Sequence, residues 1–510
     1  MQLSRASGIL MHVSSLPGCY GIGDCGQGAY TWVDFLARCG IKYWQILPLN
    51  PTGYGNSPYQ GLSAFAGNPL FIDPENLKEL GLLSNAALEH APRFPIRKVN
   101  FDKVIRWKSQ IFSEAFANFK NRGNPALVHE VQIFLEKNSP WIKDFALFMA
   151  IRQTFKQISW KDWPEGLKMR APDALKEFED NHRDNIQMHA FLQFLFDRQW
   201  QALRDYARNK DVFLIGDIPI FMGYDSADVW ANPHLFQLDE NREPLAVAGV
   251  PPDFFSATGQ LWGNPLYDWE IHKKEGYDWW IQRIRETLRT VDLIRLDHFR
   301  GFAGYYRIPA GEETAENGCW VSGPGMSLFD AVLRKTGTLP FIAEDLGVIT
   351  PDVIELRDRY QLPGMKLLQF AFWEGADHEF LPHNYPQNCV AYTGTHDNDT
   401  SVSWFQSAPD NERRFCAGYL GGHTRNIAHE MIRVVWQSVA VIAVAPMQDF
   451  LRLGGWARMN LPATTSGNWQ WRMRANAMQD ELVDYIKEIN ITYHRAPDIQ
   501  GWSAKDYFSA

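Results

Sequence analysis

Several hydrophobic runs in the middle of the chain end in charged or imidazole side chains. The run VDLIRLD, for example, covers residues 291–297 and leads directly into His298. Paired carboxylates beside cationic and imidazole groups suit nucleophilic and acid–base chemistry, and two carboxylates in different environments suggest glycosidic chemistry. The side chains at the ends of these runs are Asp217, Arg295, Asp297, His298, Glu344, Asp345, Thr395, His396 and Asp397.

Asp297 and Glu344 have different sequence surroundings. Arg295 lies two positions before Asp297 on a predicted strand, so both side chains should point to one side, where the guanidinium favours an ionised carboxylate. Glu344 follows the apolar residues 341–343, which favour a protonated carboxyl group. We therefore expect a nucleophile at 297 and a proton donor at 344. The alternative is an inert buried ion pair at 295 and 297, with Glu344 capping a helix.

Eight short apolar runs bounded by turn residues could position these groups, and helical patterns lie between most of them. Repeated β–α order predicts eight parallel strands in a (β/α)₈ TIM barrel, with a doubly wound sheet as the alternative. Since all carboxyl ends of barrel strands open on one face, the charged groups should meet there. The runs are GILMHV (8–13), YWQILPL (43–49), VFLIGDIPI (212–220), VDLIRLD (291–297), PFIAEDLG (340–347), MKLLQFAF (365–372), CVAYTG (389–394) and VAVIAVAP (439–446).

The uneven spacing of the runs predicts two large insertions, one between strands two and three and one after strand three. Long loops in barrels usually serve the active site. We expect barrel strands one and two in 1–70, a mostly α-helical insertion in 71–208, strand three in 209–222, an aromatic-rich insertion over the active site in 223–290, and strands four to eight with a C-terminal helix in 291–510.

Composition argues against nucleic-acid and membrane partners. The 510 residues include 50 Lys and Arg against 59 Asp and Glu, without a long basic block, which disfavours a nucleic-acid partner. Six cysteines without a C-x-x-C pair favour reduced thiols and a cytoplasmic location. With no apolar span of 18 residues, a membrane partner is not expected. We expect a monomer or a weak homo-oligomer.

The segment GIGDCG at 21–26 matches the glycine pattern of dinucleotide-binding loops. The extra loop SSLPGCY lies between it and the first strand, where that motif needs a tight turn, and no acidic residue ends the second strand. A loop of turn-forming glycines therefore explains the segment better than a nucleotide site.

Taken together, the motifs IRLDHFRG, IAEDLG and TGTHDN closely resemble those of glycoside hydrolase family 77, the amylomaltases or disproportionating enzymes. Further similarity lies in GDIPIF, NSPYQGLSAFAGNP and PPDFFSATGQLWGNPLYDW, and it extends from SSLPGCYGIGDCG to the end of the chain. The resemblance implies 4-α-glucanotransferase activity on maltooligosaccharides, starch or glycogen, by a retaining double displacement that needs no metal or organic cofactor.

The resemblance also implies residue roles. Asp297 would attack the anomeric carbon, Glu344 would protonate the departing oxygen, and Asp397 would stabilise the transition state. Tyr54 would belong to a secondary glucan-binding surface. The remaining substrate-binding residues would be Tyr59, Asp217, Trp262, Arg295, His298 and His396, with Trp262 on the acceptor side.

The composition of the loop 250–261 predicts a cover over the active site. Pro251 and Pro252 suggest a stiff base, and Phe254 and Phe255 could cover bound glucan and exclude water. A patch that packs on the insertion is the alternative.

Two other functions are compatible with some of these residues. An α-amylase-like hydrolase could use the same carboxylates, but the aromatic loop and Trp262 favour a bound sugar acceptor over water. A non-catalytic glucan-binding protein would not need all three of Asp297, Glu344 and Asp397 intact.

Overall fold

The computed structural model describes residues 3–252 and 256–496, and the following account concerns those residues. Its strands, numbered in chain order, are β1 Ala6–Leu10, β2 Tyr43–Gln45, β3 Phe213–Ile218, β4 Ala246–Val250, β5 Gln260–Pro265, β6 Leu293–Leu296, β7 Gly304–Pro309, β8 Cys319–Ser322, β9 Phe341–Ala343, β10 Gly364–Leu367, β11 Cys389–Tyr392 and β12 Ile442–Pro446.

Eight of these strands close into a parallel barrel, in the order β1-β12-β11-β10-β9-β6-β3-β2. Closure comes from β1 pairing with β12, with Ala6 opposite Ile442 and Leu10 opposite Pro446. Each barrel strand falls within or next to one of the eight apolar runs, because strands covered on both faces must be apolar almost throughout. The predicted (β/α)₈ barrel is therefore confirmed.

Helices surround the barrel and fill the insertions. The α-helices of the described residues are α1 Gln27–Arg38, α2 Pro74–Glu79, α3 Asn85–Glu89, α4 Phe101–Arg122, α5 Pro125–Lys137, α6 Ser139–Thr154, α7 Glu165–Lys168, α8 Pro172–Asn209, α9 Ala227–Ala231, α10 Trp269–Lys274, α11 Asp278–Thr290, α12 Arg300–Ala303, α13 Gly325–Thr336, α14 Pro351–Arg359, α15 Ser401–Ser407, α16 Asp410–Tyr419, α17 Ile427–Gln437, α18 Met447–Phe450 and α19 Asp480–Thr492.

Helices α2 to α8 lie between β2 and β3 and pack around aromatic side chains. Phe119 and Phe191 stack with ring centroids 4.3 Å apart. The long helix α8 continues from this cluster to the barrel. There its Trp200 lies against Trp44 of β2, with ring centroids 6.4 Å apart. One helix thus joins the insertion to the barrel wall.

A second, antiparallel sheet has the strand order β5-β4-β7-β8. Strands β4 and β5 come from the segment 223–290. Strands β7 and β8 follow barrel strand β6, and β7 pairs with β4 on one side and with β8 on the other. For 291–510 the sequence predicts only barrel strands four to eight and a C-terminal helix. The structure instead places residues 304–309 and 319–322 in this sheet, which we call the lobe sheet.

The glycine segment 21–26 packs against its own chain. A Cβ atom on Gly23 would lie 1.9 Å from the carbonyl oxygen of Val13, so close backbone approach explains this glycine. Asp24 accepts a hydrogen bond from the amide of Gly26 at the start of α1. Among the described residues, none of the helices has both the length and the apolar character of a membrane span.

Candidate active site

The carboxyl ends of the barrel strands bring the sequence-predicted charged residues to one rim. Asp297 follows β6 directly and Glu344 follows β9 directly. Their amides continue the barrel hydrogen bonding, from Asp297 to the carbonyl of Ile218 at 3.0 Å and from Glu344 to that of Leu296 at 3.1 Å. The backbone of both carboxylates is therefore fixed by neighbouring strands.

Arg295 lies at the centre of a buried charge network. Register places it opposite Asp217 on the neighbouring strand β3, so the two side chains point the same way. Its guanidinium contacts Asp217 Oδ2 at 2.6 Å and Asp297 Oδ1 at 2.9 Å. The hydroxyl of Tyr59 donates a second hydrogen bond to Asp217 Oδ2 at 2.7 Å. This network fixes the orientation of the Asp297 carboxylate.

Glu344 is held by two backbone amides. His298 donates to Oε2 at 2.6 Å, and Leu346 donates to Oε1 at 3.2 Å. His298 reaches this position with a φ of 50°, in the left-handed region that costs energy for a residue with a Cβ atom. The residue after Asp297 thus binds the Glu344 carboxyl group through its backbone.

Burial raises the pKa of both carboxyl groups. It raises the pKa of Glu344 to about 8, with the nearby Asp297 charge adding to the effect and Arg295 opposing it. Burial also raises the pKa of Asp297, although Arg295 was expected to favour its ionised form, and the Arg295 guanidinium does oppose the increase. Glu344 is therefore suited to carry a proton at neutral pH.

Asp397 is oriented by a loop that sequence reasoning did not identify. Asn460 Nδ2 donates to Asp397 Oδ1 at 2.7 Å, and Arg458 donates to the Asp397 carbonyl at 2.6 Å. His396 Nε2 lies 3.3 Å from Asp397 Oδ2. Asn460 lies in an irregular segment after α18, where no periodicity or motif points to a role.

Aromatic rings line the same rim. Tyr59 stacks on His396 with centroids 5.0 Å apart, and Trp469 lies 5.9 Å from both rings. Burial lowers the pKa of His396, so its imidazole is neutral at neutral pH. Tyr59, expected to stack on a sugar, is thus already stacked on a histidine.

Trp262 of β5 brings the lobe sheet to the site. Its ring lies 4.8 Å from that of His298 in an edge-to-face arrangement, and its Nε1 donates to Gln260 Oε1 at 3.1 Å. Burial lowers the pKa of His298 to about 4. The side chain of Tyr54 and the residues Phe254 and Phe255 lie outside the described part of the chain.

Asp345 is the strand-end carboxylate that does not join the cluster. It contacts Arg357 Nη1 at 2.6 Å and accepts from the amide of Met365 at 2.7 Å. These contacts link α14 and β10, which gives Asp345 a structural explanation. Within residues 3–252 and 256–496, no group of three or more His, Cys, Asp or Glu side chains could hold a metal ion.

A parallel eight-stranded barrel with acidic groups gathered at the carboxyl ends of its strands has the architecture of a barrel enzyme. A family model described as 4-alpha-glucanotransferase matches residues 11–478. A 4-alpha-glucanotransferase of Synechocystis sp. is 47% identical over 495 residues, covering 96% of this chain and 98% of its own. One of Thermus thermophilus is 46% identical over 489 residues, covering 94% and 97%.

A solved amylomaltase structure from Streptococcus agalactiae, in complex with acarbose, has a TM-score of 0.93 and 38% sequence identity, covering 96% of this chain and 99% of its own. The chain belongs to the 4-α-glucanotransferase family, glycoside hydrolase family 77. This confirms the resemblance stated above. The activity is that of a 4-α-glucanotransferase, and the family acts on α-1,4-glucans.

Proposed function

We propose that Asp297 is the nucleophile of a retaining transfer between α-1,4-glucan chains. The observation that carries this proposal is the Arg295 guanidinium, which holds one oxygen of Asp297 at 2.9 Å and is itself held by Asp217. A carboxylate fixed in this way can attack the anomeric carbon while the bond to the departing sugar breaks. The product of this step is a covalent glycosyl-enzyme.

Glu344 supplies the proton for that step. With a pKa of about 8 its carboxyl group is protonated at neutral pH, so it can transfer a proton to the departing oxygen. The resulting carboxylate then takes the proton of an acceptor hydroxyl as that oxygen attacks the anomeric carbon. Asp297 is released and one α-1,4 linkage replaces another. A retaining reaction of this kind needs the two carboxyl groups about 5–5.5 Å apart.

The surrounding residues bind the sugar at the cleaved position. Asp397 stabilises the positive charge of the transition state, and its carboxylate is oriented for this by Asn460 on Oδ1 and by His396 beside Oδ2. His298 and His396 are neutral and can accept as well as donate hydrogen bonds to hydroxyl groups. Tyr59 and Asp217 close the edge of the site, where they share a hydrogen bond.

Trp262 belongs to the acceptor side of the site. Its edge-to-face contact with His298 supports this role, because His298 is proposed to bind the cleaved sugar. A second glucan held on this ring would have a proximity advantage over unpositioned water. Tyr54 as part of a secondary glucan surface, and Phe254 and Phe255 as a cover over the site, remain predictions from the sequence.

Product analysis with maltotriose tests transfer against hydrolysis. Transfer conserves linkages, so we expect free glucose and longer maltooligosaccharides to increase while total reducing ends stay constant. Hydrolysis adds one reducing end with each cleaved bond. A rise in reducing ends that matches bond cleavage from the first minutes would contradict the transferase assignment and favour the α-amylase-like alternative.

We also propose a monomer or weak homo-oligomer in the cytoplasm, with α-1,4-glucans as its binding partners. The six cysteines are free, which fits a reducing compartment. The excess of acidic over basic residues disfavours nucleic acid as a partner. Sedimentation analysis of the purified chain would test the oligomeric state.

A further inference from the structure

Arg300, near the exit of barrel strand β6, reaches the loop that follows Glu344. Its Nη1 donates to the carbonyl of Val348 at 2.6 Å and to Thr350 Oγ1 at 3.2 Å. Both acceptors lie between Glu344 and helix α14. One side chain therefore ties the segment after Asp297 to the segment after Glu344.

This contact continues a series of hydrogen bonds between the two segments. The amide of His298 donates to Glu344 Oε2, and the amide of Phe299 donates to the Glu344 carbonyl at 3.1 Å. Arg300 then extends the series to Val348. The bonds from 298 and 299 use the backbone, so Arg300 is the member of the series that a substitution can remove.

The loop that Arg300 holds is exposed at its centre. Val348 is 70% exposed, and Gly347 has a φ of 87°, which a residue with a side chain adopts only under strain. Leu346, whose amide donates to Glu344 Oε1, is only partly buried. Leu346 and Ile349 pack against the core on either side, so the exposed centre of the loop depends on polar ties to keep one conformation.

The lobe sheet fixes Arg300 from the opposite side. The guanidinium carbon lies 3.8 Å from the ring centroid of Trp320 on β8, and Tyr306 of β7 supports that ring edge-to-face at 5.2 Å. Arg300 Nε is buried and has no hydrogen-bond partner among the described residues. A guanidinium stacked on an aromatic ring keeps its plane fixed, which directs both hydrogen bonds of Nη1 to the loop.

We propose that Arg300, stacked on Trp320, is a positioning residue that sets the Glu344 carboxyl group for proton transfer by fixing the loop 345–350. The proposal rests on the proposed role of Glu344 as the acid/base. Arg300 acts through that loop and through Leu346. Its loss therefore affects the step that needs a proton and spares a step that does not.

Two donors with different leaving groups test this role. Maltotriose needs protonation of its departing oxygen, whereas α-maltosyl fluoride releases fluoride, which needs little help from an acid. The measurement is the single-turnover rate of glucose or fluoride release. For Arg300→Met we expect a loss of roughly 10- to 100-fold with maltotriose, the size of effect that a misplaced catalytic group produces. With the fluoride we expect a rate close to that of the unmodified enzyme.

Arg285→Met is the matched control. Arg285 is an exposed arginine that donates to the backbone carbonyl of Lys335 at 2.8 Å, away from the rim, so both rates should stay unchanged. Equal losses with both donors in Arg300→Met would overturn the proposal, because a merely structural residue would affect both reactions. Unchanged rates with both donors would overturn it as well.

Two further variants keep the result decisive. If Arg300→Met does not fold, Trp320→Leu removes the stacking partner at a 42% exposed position and should give the same selective loss at smaller size. Glu344→Gln should lose maltotriose cleavage and retain fluoride release. Normal maltotriose cleavage in Glu344→Gln would instead contradict the proposed function. A selective loss in Glu344→Gln without one in the Arg300 and Trp320 variants would contradict this inference alone.

Discussion

The rim of the barrel and the helical insertion between β2 and β3 are both buried, yet opposite kinds of side chain build them. At the rim, Arg295 is 4% exposed and lies between two carboxylates. In the insertion, Phe191 is 1% exposed and lies on Phe119. Charge is concentrated in the first region and apolar area in the second.

Because of this difference, the two regions contribute differently to stability and to the reaction. Buried charges carry a large desolvation cost, and ion pairs offset it without adding much net stability. Buried aromatic rings add stability directly through the hydrophobic effect and through ring–ring packing. Substitutions at the rim should therefore change the reaction most, whereas substitutions in the insertion should change stability and leave the reaction intact.

The largest effect on rate should come from Asp297→Asn. The amide keeps the shape of the side chain but is a poor nucleophile, so kcat should fall by at least about 10³-fold. Binding of a maltooligosaccharide, measured by calorimetry, should largely survive. Asp358→Asn, at an exposed carboxylate, is the control and should leave kcat unchanged. Near-normal turnover of Asp297→Asn would mean that another carboxylate is the nucleophile.

The pH dependence of kcat/KM should show that Glu344 and Asp297 need opposite protonation states. Glu344 must be protonated, so activity should fall as pH rises through about 8, by roughly tenfold per pH unit above it. Asp297 must be ionised and burial raises its pKa, so activity should also fall with decreasing pH, at a higher pH than for an exposed aspartate. The two groups titrate as a pair.

A donor with a different leaving group provides the control for the decrease in activity at high pH, which we call the basic limb. With α-maltosyl fluoride as donor, single-turnover fluoride release does not need a protonated Glu344, and the decrease above pH 8 should weaken. A basic limb of the same size with both donors would exclude Glu344 as its source.

Features that depend on local sequence were predicted, whereas features that depend on tertiary contacts were not. The eight barrel strands and the carboxylates at their ends follow from local pattern, because buried parallel strands are apolar and rim residues follow them directly. Strands β7 and β8 did not, since GYYRIP and CWVS are short segments and β7 pairs with distant β4, with β8 added on its other edge. The contact of Asn460 with Asp397 joins residues 63 positions apart. Such contacts depend on tertiary packing rather than local sequence.

Asn460→Ala should give a smaller rate effect at the rim. The variant removes the 2.7 Å hydrogen bond that orients Asp397. A hydrogen bond to a charged group contributes about 1.5–3 kcal/mol, so a decrease in kcat of about tenfold or more is expected. Asn388→Ala, which removes an exposed bond to the Gln361 carbonyl, is the matched control. An unchanged kcat in Asn460→Ala would show that Asp397 keeps its orientation without this partner.

The smallest effect on rate, with a large effect on stability, is expected for Phe191→Ala in the insertion. Removing a buried ring leaves a cavity beside Phe119 and costs about 3–5 kcal/mol, so the melting temperature should decrease clearly. Phe191→Leu keeps more of the volume and should cost less. Below the melting transition kcat should equal that of the unmodified enzyme for both variants, because Phe191 contacts no group of the rim in the described structure. A decrease in kcat without a decrease in melting temperature would contradict the division between the two regions, and would indicate that α8 transmits the packing of the insertion to the barrel through the Trp200–Trp44 contact.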